Sequence, residues 1–514
     1  RKFMTPQTDD PQPFILTLLG DLHLHTVDLQ PHQVLSFYES VGTMLSDYGT
    51  GISLARDDTC MRLMELANVQ WRGVMSAAQS STNILSDPGT IKTLTTVLRT
   101  NSRVCSTAGV IFAHQLSVIF LDMLNLYQYY SKEVRNAVAA QGPIAVKKHE
   151  YKLMRHLKGE ILELMTSFFE VCKEGHDTSA ANNPALRPEV IMETFMPNLM
   201  NEVLTDYKTA PSCARDSKVL TVFATAISVF KHRLNADIPR IMEAVFESTL
   251  EVITSNMLDH PEHRVRFFKF LQSANEFCFF GLFSIPPAHQ KMVVDSIVWA
   301  FKHTARDISE TGLDILLELM NNIAAAAGSG NDGKGSSGGT GAAGEEFAQS
   351  FYSSFLLALI QDILGVMTDR LHKSGFKIQS IILMNLFHLV QAGNVRVPLF
   401  DTALHPGFTD NAQYLKEHVG HLLLQTFPNL STVQVVAFVS GCVDVSVDHT
   451  AFKQHMRDFL INVKEYSAGD HNDELFDEEK QLQQEMVSEE LRAYQKSIPG
   501  LLKPSELDEL DEGM

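Results

Sequence analysis

Apolar side chains between Asp237 and Ile323 recur at three- and four-residue steps in four successive runs, each ending at a breaker. In the first run, Ile238, Ile241, Met242, Val245, Val252 and Ile253, with Thr249 among them, make one apolar stripe of a helix. Asp237 is placed to cap it, and Pro239 suits its first turn. Pro261 disfavours helix for the residue before it, so the pattern breaks at HPEHR and resumes through Val265, Phe268, Leu271 and Cys278. After a second break at GLFSIPP come AHQKMVVDSIVWAFKHTA and ISETGLDILLELMNNI. The latter opens with Asp307 and Glu310 at capping-box spacing ahead of Ile315, Leu316, Leu319 and Ile323. Pro261 and Asp307 stand 46 residues apart, within the roughly 40 to 47 of a HEAT-type helical hairpin.

The same period organises the rest of the chain. One hairpin is expected from Pro13 to about Leu45, then helices at about 58–82 and 89–101, an apolar segment at 105–130, a further short helix KEVRNAVAA, and a long amphipathic helix within HEYKLMRHLKGEILELMTSFFEVC. Helices at 188–207 and 216–233 lead into the stretch from Asp237. Ala324–Gly344 is a Gly/Ser/Ala-rich insert that reads as a flexible surface loop, and helical runs resume at Glu345 and continue to Tyr466. No stretch shows the alternation of a strand. The fold expected is an all-α HEAT-repeat superhelical solenoid of about ten hairpins.

Composition narrows the class. A chain of 514 residues exceeds one compact core, and 45% hydrophobic with 20% charged residues is enough to fold it. The net charge of -19 is unevenly placed: residues 465–514 hold 15 Asp and Glu against 4 Lys and Arg, net -11. Phosphate contacts need clustered Lys and Arg, so nucleic acid is not an expected partner. Six cysteines (Cys60, Cys105, Cys172, Cys213, Cys278, Cys442) stand far apart with no CxxC, which suits a reducing compartment. The most apolar window, from Gly109, is interrupted by His114, Gln115, Asp122 and Asn125 and is too polar to cross a bilayer unaided, so a soluble protein is expected.

Candidate chemistry is thin. GSGNDG at Gly328–Gly333, with Lys334, nearly fits a phosphate loop, but it follows an Ala-rich helix end instead of a strand. His23 with His25, His260 with His263, and His418 with His421 lack the third and fourth ligands that zinc needs. No protease, hydrolase or kinase motif occurs. Trp299, Phe301 and the phenylalanines at 267–283 have the spacing of a core between stacked hairpins. No catalytic, cofactor or metal site is expected, and the resemblance set out next implies a binding protein, not an enzyme.

Longer stretches carry a resemblance. AVFESTLEVI, HPEHRVRFFKFLQ and SIPPAHQKMVVDSIVWAFKHTARDISETGL resemble the exportin-1 family of nuclear export receptors, within the importin-beta-like karyopherins. DLQPHQVLSFYESVG (28–42), QLSVIFLDMLNLY (115–127), AFKQHMRDFLINVKEY (451–466) and SIPGLL (497–502) extend it over nearly the whole chain, matching that family's C-terminal half. With Arg1 at the start, the resemblance implies a fragment of a longer receptor. It implies hairpins at 1–104 continuing from missing repeats, the exportin C-terminal repeat domain at 105–466, and an acidic linker, helix and tail at 467–514. It also implies export-signal cargo bound together with Ran-GTP, contact with nucleoporins, and shuttling between nucleus and cytoplasm, without membrane insertion. The cargo groove falls outside this chain, which is left with scaffold, some Ran-facing surface and a regulatory helix. By position that helix is Glu478–Lys496, with Glu478, Leu482, Met486, Leu491 and Tyr494, and the acidic tail carries Glu506, Asp508, Glu509, Asp511 and Glu512. Another HEAT scaffold or karyopherin is the alternative, and a metal-dependent hydrolase built on the histidine pairs is the remote one.

Overall fold

The computed structural model of the protein describes residues 12–46, 56–173, 186–255, 260–328, 340–369 and 375–466, together with Phe3. Its first helices are α1 (Phe14–Gly20), α2 (Leu22–Thr26), α3 (Pro31–Ser46), α4 (Arg56–Ser80), α5 (Pro88–Ala108), α6 (Ala113–Gln141) and α7 (His149–Val171). Then come α8 (Pro188–Leu199), α9 (Thr205–Thr209), α10 (Lys218–Phe230), α11 (Ile238–Ser255), α12 (Pro261–Phe277), α13 (Phe279–Phe283) and α14 (Pro287–Phe301). The chain continues through α15 (Arg306–Gly328), α16 (Thr340–Thr368), α17 (Phe376–Gln391), α18 (Asn411–Thr426), α19 (Thr432–Asp444) and α20 (His449–Tyr466). Among the described residues there is no strand, and the fold is the all-α HEAT-repeat type that the periodicity predicts.

Two compact units divide the chain at Val293/Val294. In the first, α3, α5, α7, α10 and α12 pack each on the next as one layer, and α4, α6, α8 with α9, and α11 are their hairpin partners. In the second, α15, α17 and α20 form a row, flanked by α16, α18 and α19. The stack follows from α7, whose Leu157, Ile161, Leu162, Leu164, Met165, Phe168 and Phe169 are all fully buried. A helix apolar on several sides needs neighbours on each of them. Edge-on rings supply part of that cover: Phe120 of α6 and Phe168 of α7 each meet Phe195 of α8, at 4.9 and 5.3 Å, and Phe169 meets Phe230 of α10 at 5.4 Å. The aromatic cluster near residue 270 is core as expected, with Phe267, Phe268, Phe270 and Phe301 buried, whereas Phe280 faces out and Trp299 is half-buried.

Boundaries differ from the sequence expectation for local physical reasons. KEVRNAVAA is no separate helix but the end of α6, which runs unbroken to Gln141 and stops where Gly142 takes φ +76°. The first hairpin's leading arm is split at Asp21 into α1 and α2. The helix expected at 188–207 contains Pro197, which removes a backbone donor, and a π-turn at Met200–Leu204 separates α8 from α9. Asp307 lies inside the first turn of α15, because the helix begins at Arg306, and Glu310 pairs with Arg306 at 2.7 Å. A complete capping box is formed by Ser431, the N-cap of α19, with Gln434. Among the described residues two stretches, Pro88–Gln141 and Ala342–Thr368, are long and apolar enough to cross a bilayer by length and composition, and 61% and 50% of their most apolar windows is buried inside the protein.

The Gly/Ser-rich insert is narrower than Ala324–Gly344. Alanine favours helix, so α15 continues through Ala324–Ala327 and α16 starts at Thr340; the residues between them lie outside the described set. Gly344 sits so close to α15 that a Cβ there would stand 2.4 Å from the Ala326 carbonyl oxygen. Removing Ala324–Gly344 would therefore delete a helix crossing. Trimming only Asn331–Ser337 is expected to change stability by less than about 1 kcal/mol, since closure entropy varies slowly with loop length. Gly344→Val is expected to cost about 1–3 kcal/mol by overpacking. Urea denaturation of both variants checks this, and a Gly344→Val protein as stable as the parent would mean that α15 and α16 do not meet there.

Candidate partner-binding surfaces

Polar groups inside the first unit fall into an interior set and a surface set. In the interior, Asn68 of α4, Asn101 of α5 and Gln115 of α6 form a buried amide cluster: Asn68 and Gln115 exchange bonds of 2.9 and 2.8 Å, and Gln115 also donates to Asn101 at 2.9 Å. Lys158 of α7 is buried with its ammonium 2.7 Å from Asp206 and 4.5 Å from the centre of the Tyr127 ring. Burial pushes the Lys158 amine down, and Asp206 works against that shift. Arg215, 8% exposed, donates to the carbonyls of Tyr207 and Ser248 and pairs with Glu251 at 2.6 Å, while the Tyr207 and Thr249 hydroxyls meet at 2.9 Å.

On the surface, charged pairs cross from each helix of one layer to the next. Arg103 of α5 reaches Glu39 of α3 at 3.4 Å. Arg99 bonds Glu160 of α7 at 3.0 Å and His156 at 2.7 Å, and Lys218 of α10 lies 3.0 Å from Glu163 of α7. Beyond these ion pairs, Arg266 of α12 donates to the Ser217 hydroxyl, at the N-cap of α10, at 2.5 Å. A polar hollow of ≈ 490 Å³ opens on this ladder, lined by Leu35, Arg99, Ser102, Arg103, Glu160, Glu163 and Ser167. The second unit has a hollow of ≈ 350 Å³ with Leu364, Leu422, Leu423 and Phe427 on its walls and the Lys302–Asp362 ion pair at its edge. Both hollows are open on one side to the surface of the helical array.

The predicted histidine pairs separate into different settings. His23 and His25 are exposed on α2. His260, in the left-handed region at φ +61°, places its ring 5.5 Å from that of His263 at the start of α12. His418 is half-buried and stacks on Tyr414 at 5.8 Å. Among the described residues no three His, Cys, Asp or Glu converge as a metal site. Gly328 ends α15, and the rest of GSGNDG lies outside the described residues. So do Glu478, Leu482, Met486, Leu491 and Tyr494, and Glu506, Asp508, Glu509, Asp511 and Glu512. Sequence reading missed the ladder and the Lys158–Asp206 pair, whose members are 48 to 64 residues apart. The available signal was charge inside an apolar stripe, as at Lys158 and Glu160 of α7.

An all-α array of stacked helical hairpins is the class these features define. The region described as CRM1 C terminal matches residues 115–468. Protein EXPORTIN 1B of Arabidopsis thaliana is 38% identical over 511 residues, 99% of this chain and 44% of that protein. Exportin-1 of Schizosaccharomyces pombe is 36% identical over 514 residues, and Exportin-1 of Drosophila melanogaster 33% over 511, each again with 44% of its length covered. The chain belongs to the exportin-1 family, and it spans less than half the length of these relatives.

Two outcomes follow from the interior groups. Lys158→Met leaves Asp206 buried without its cation and is expected to cost about 3–5 kcal/mol, whereas the double variant Lys158→Met, Asp206→Leu should recover most of that loss. A double-mutant cycle in urea tests this, and additive losses would count against a coupled pair. For His263, burial and the neighbouring His260 push the imidazole down to about 4 from its ordinary 6.5. Its folded pKa lies below the unfolded one, so its contribution is complete above pH ~6.5 and lost as pH falls toward 4. His263→Gln should flatten the fall in melting temperature across that window, and an unchanged slope would assign the acid sensitivity to other groups.

Proposed function

We propose that this chain is the C-terminal part of a nuclear export receptor, which carries proteins bearing leucine-rich export signals out of the nucleus together with Ran-GTP. The supporting observation is likeness to exportins along 99% of the chain, through loops as well as helices. In this reading the hairpin layers are scaffold, and the polar hollow on α3, α5 and α7 is part of a protein-facing surface that includes the Ran side. Nucleoporins meet the receptor as it shuttles between nucleus and cytoplasm. The cargo groove belongs to repeats outside this chain. The helix Glu478–Lys496 and the tail from Ser505 to Met514 act as regulators, biasing the groove toward a state with low cargo affinity. Binding, not catalysis, is the activity.

Helix-in-groove recognition requires a preformed apolar cleft. The chain by itself is therefore expected to bind a labelled leucine-rich export peptide no better than the same peptide with its apolar anchors changed to alanine. Fluorescence anisotropy measures this directly. Micromolar binding of the intact peptide with clear rejection of the alanine version would put the groove inside this chain. In a polypeptide restored to the relatives' length, the same titration without Ran should show tighter peptide binding once Glu478–Met514 is removed. Unchanged affinity there would remove the regulatory role from that segment.

A further inference from the structure

At the start of α7 the sign of the surface reverses. The chain carries 61 Asp and Glu against 42 Lys and Arg, yet residues 147–155, KKHEYKLMR, hold four of these cations and one carboxylate. Lys147, Lys148 and Lys152 are exposed and Arg155 is half-buried. A fifth cation comes from the neighbouring helix. Arg99 of α5 meets Glu160 of α7, 61 residues on, and Ser106 and Ser167, at the same offset, line one hollow, so the two helices run side by side in one direction. Carried back two turns, that offset sets the exposed Lys92 of α5 level with Lys152 and Leu153.

Among the described residues no side-chain hydrogen bond or ion pair engages any of these five groups. Elsewhere in the first unit Arg99, Arg103, Lys208, Lys218 and Arg233 each have a carboxylate within 3.4 Å. Carboxylates on the flanking turns have other tasks. Asp87 caps α5 by accepting from the Thr90 N–H at 2.8 Å, while burial, then Glu150 and Glu133, push the Tyr151 hydroxyl up, which puts both acids around that ring. Like charges one turn apart, as Lys148 with Lys152 and Lys152 with Arg155, repel each other, and an outside anion relieves that repulsion. We propose that Lys92, Lys147, Lys148, Lys152 and Arg155 form a docking surface for an acidic segment of a partner protein. Lys148 and Arg155 stand about 10 Å apart along the helix, a length that about three to four residues of extended chain cover. Ile144, 60% exposed in the turn that leads to Lys147, offers an apolar contact to a side chain within that segment. A nucleic-acid strand fits less well, because it needs open rings to stack on and the ring at hand, Tyr151, is half-buried. Charge and placement carry this proposal, independently of the export reading.

Fluorescence anisotropy with the whole chain tests it. The probe is a short labelled peptide of alternating Asp and Glu with a central Leu, set against its Asn/Gln counterpart. The acidic peptide should bind and the amide peptide should not, and raising salt to about 0.5 M should weaken binding several-fold, since exposed charges are then screened. Lys148→Glu with Lys152→Glu should weaken it about tenfold, the loss of two exposed ion pairs, with the melting temperature unchanged. Lys173→Glu with Lys269→Glu, on lysines that are also exposed and with the same change in net charge, should leave binding as it was. Equal weakening by the two double variants would reduce the effect to overall charge and overturn the proposal. So would an acidic peptide bound no better than the amide one, or a single-stranded oligonucleotide bound more tightly than the peptide through the same lysines.

Discussion

A helix that is apolar on several sides has to be covered on several sides, and α7 imposes that condition on the first unit. Its Phe168 and Phe169 point into rings contributed by α8 and α10, while Leu157 and Ile161 are closed off completely. No single hairpin can meet the requirement, so burial is shared between consecutive hairpins and the stack becomes the unit of stability. Each fully buried Phe or Leu contributes about 1.5–3 kcal/mol relative to exposure, which far exceeds any one charged contact on the surface of the layer.

Polar groups act within that apolar arrangement chiefly by fixing register. The ladder pairs at Arg103–Glu39 and Lys218–Glu163 are substantially exposed, and such pairs are worth about 0–1 kcal/mol each. Lys158 with Asp206 is different, because both groups have left water and neither tolerates the loss of the other. The pair ties α7 to α9 just beyond the π-turn at Met200–Leu204, at the point where the hairpin partner is least regular. The Asn68–Gln115–Asn101 cluster does the same for α4, α5 and α6 without charge. Its amide groups are mutually satisfied, so an offset of one helix would leave several of them unpaired at once.

Membership of the exportin-1 family accords with a molecule whose chemistry is distributed over faces instead of concentrated in a cleft. The relatives are more than twice as long as the part matched here. Within it, the balance of charge is uneven: acid accumulates after Tyr466, and α20 carries a basic stripe immediately before.

The 3.6-residue period, the breakers at Pro261 and Pro287, and the 46-residue spacing were enough to determine an all-α hairpin array, because burying a helix stripe is a local requirement written residue by residue. The Phe267–Phe270 core was legible for the same reason. Helix ends were less so: alanines 324–327 read as part of a low-complexity insert, but their intrinsic preference carried α15 onward to the crossing at Gly344. Nothing local announced which charges would meet. Arg99 finds Glu160 and Lys158 finds Asp206 across 61 and 48 residues of chain, and only the stacking of α5 on α7 and of α9 beside it brings them together. Composition alone determined that the end of the chain is acidic. Tertiary structure decided that Lys377 stands beside the stripe of α20, because that neighbourhood depends on how α17 packs, which no periodicity encodes.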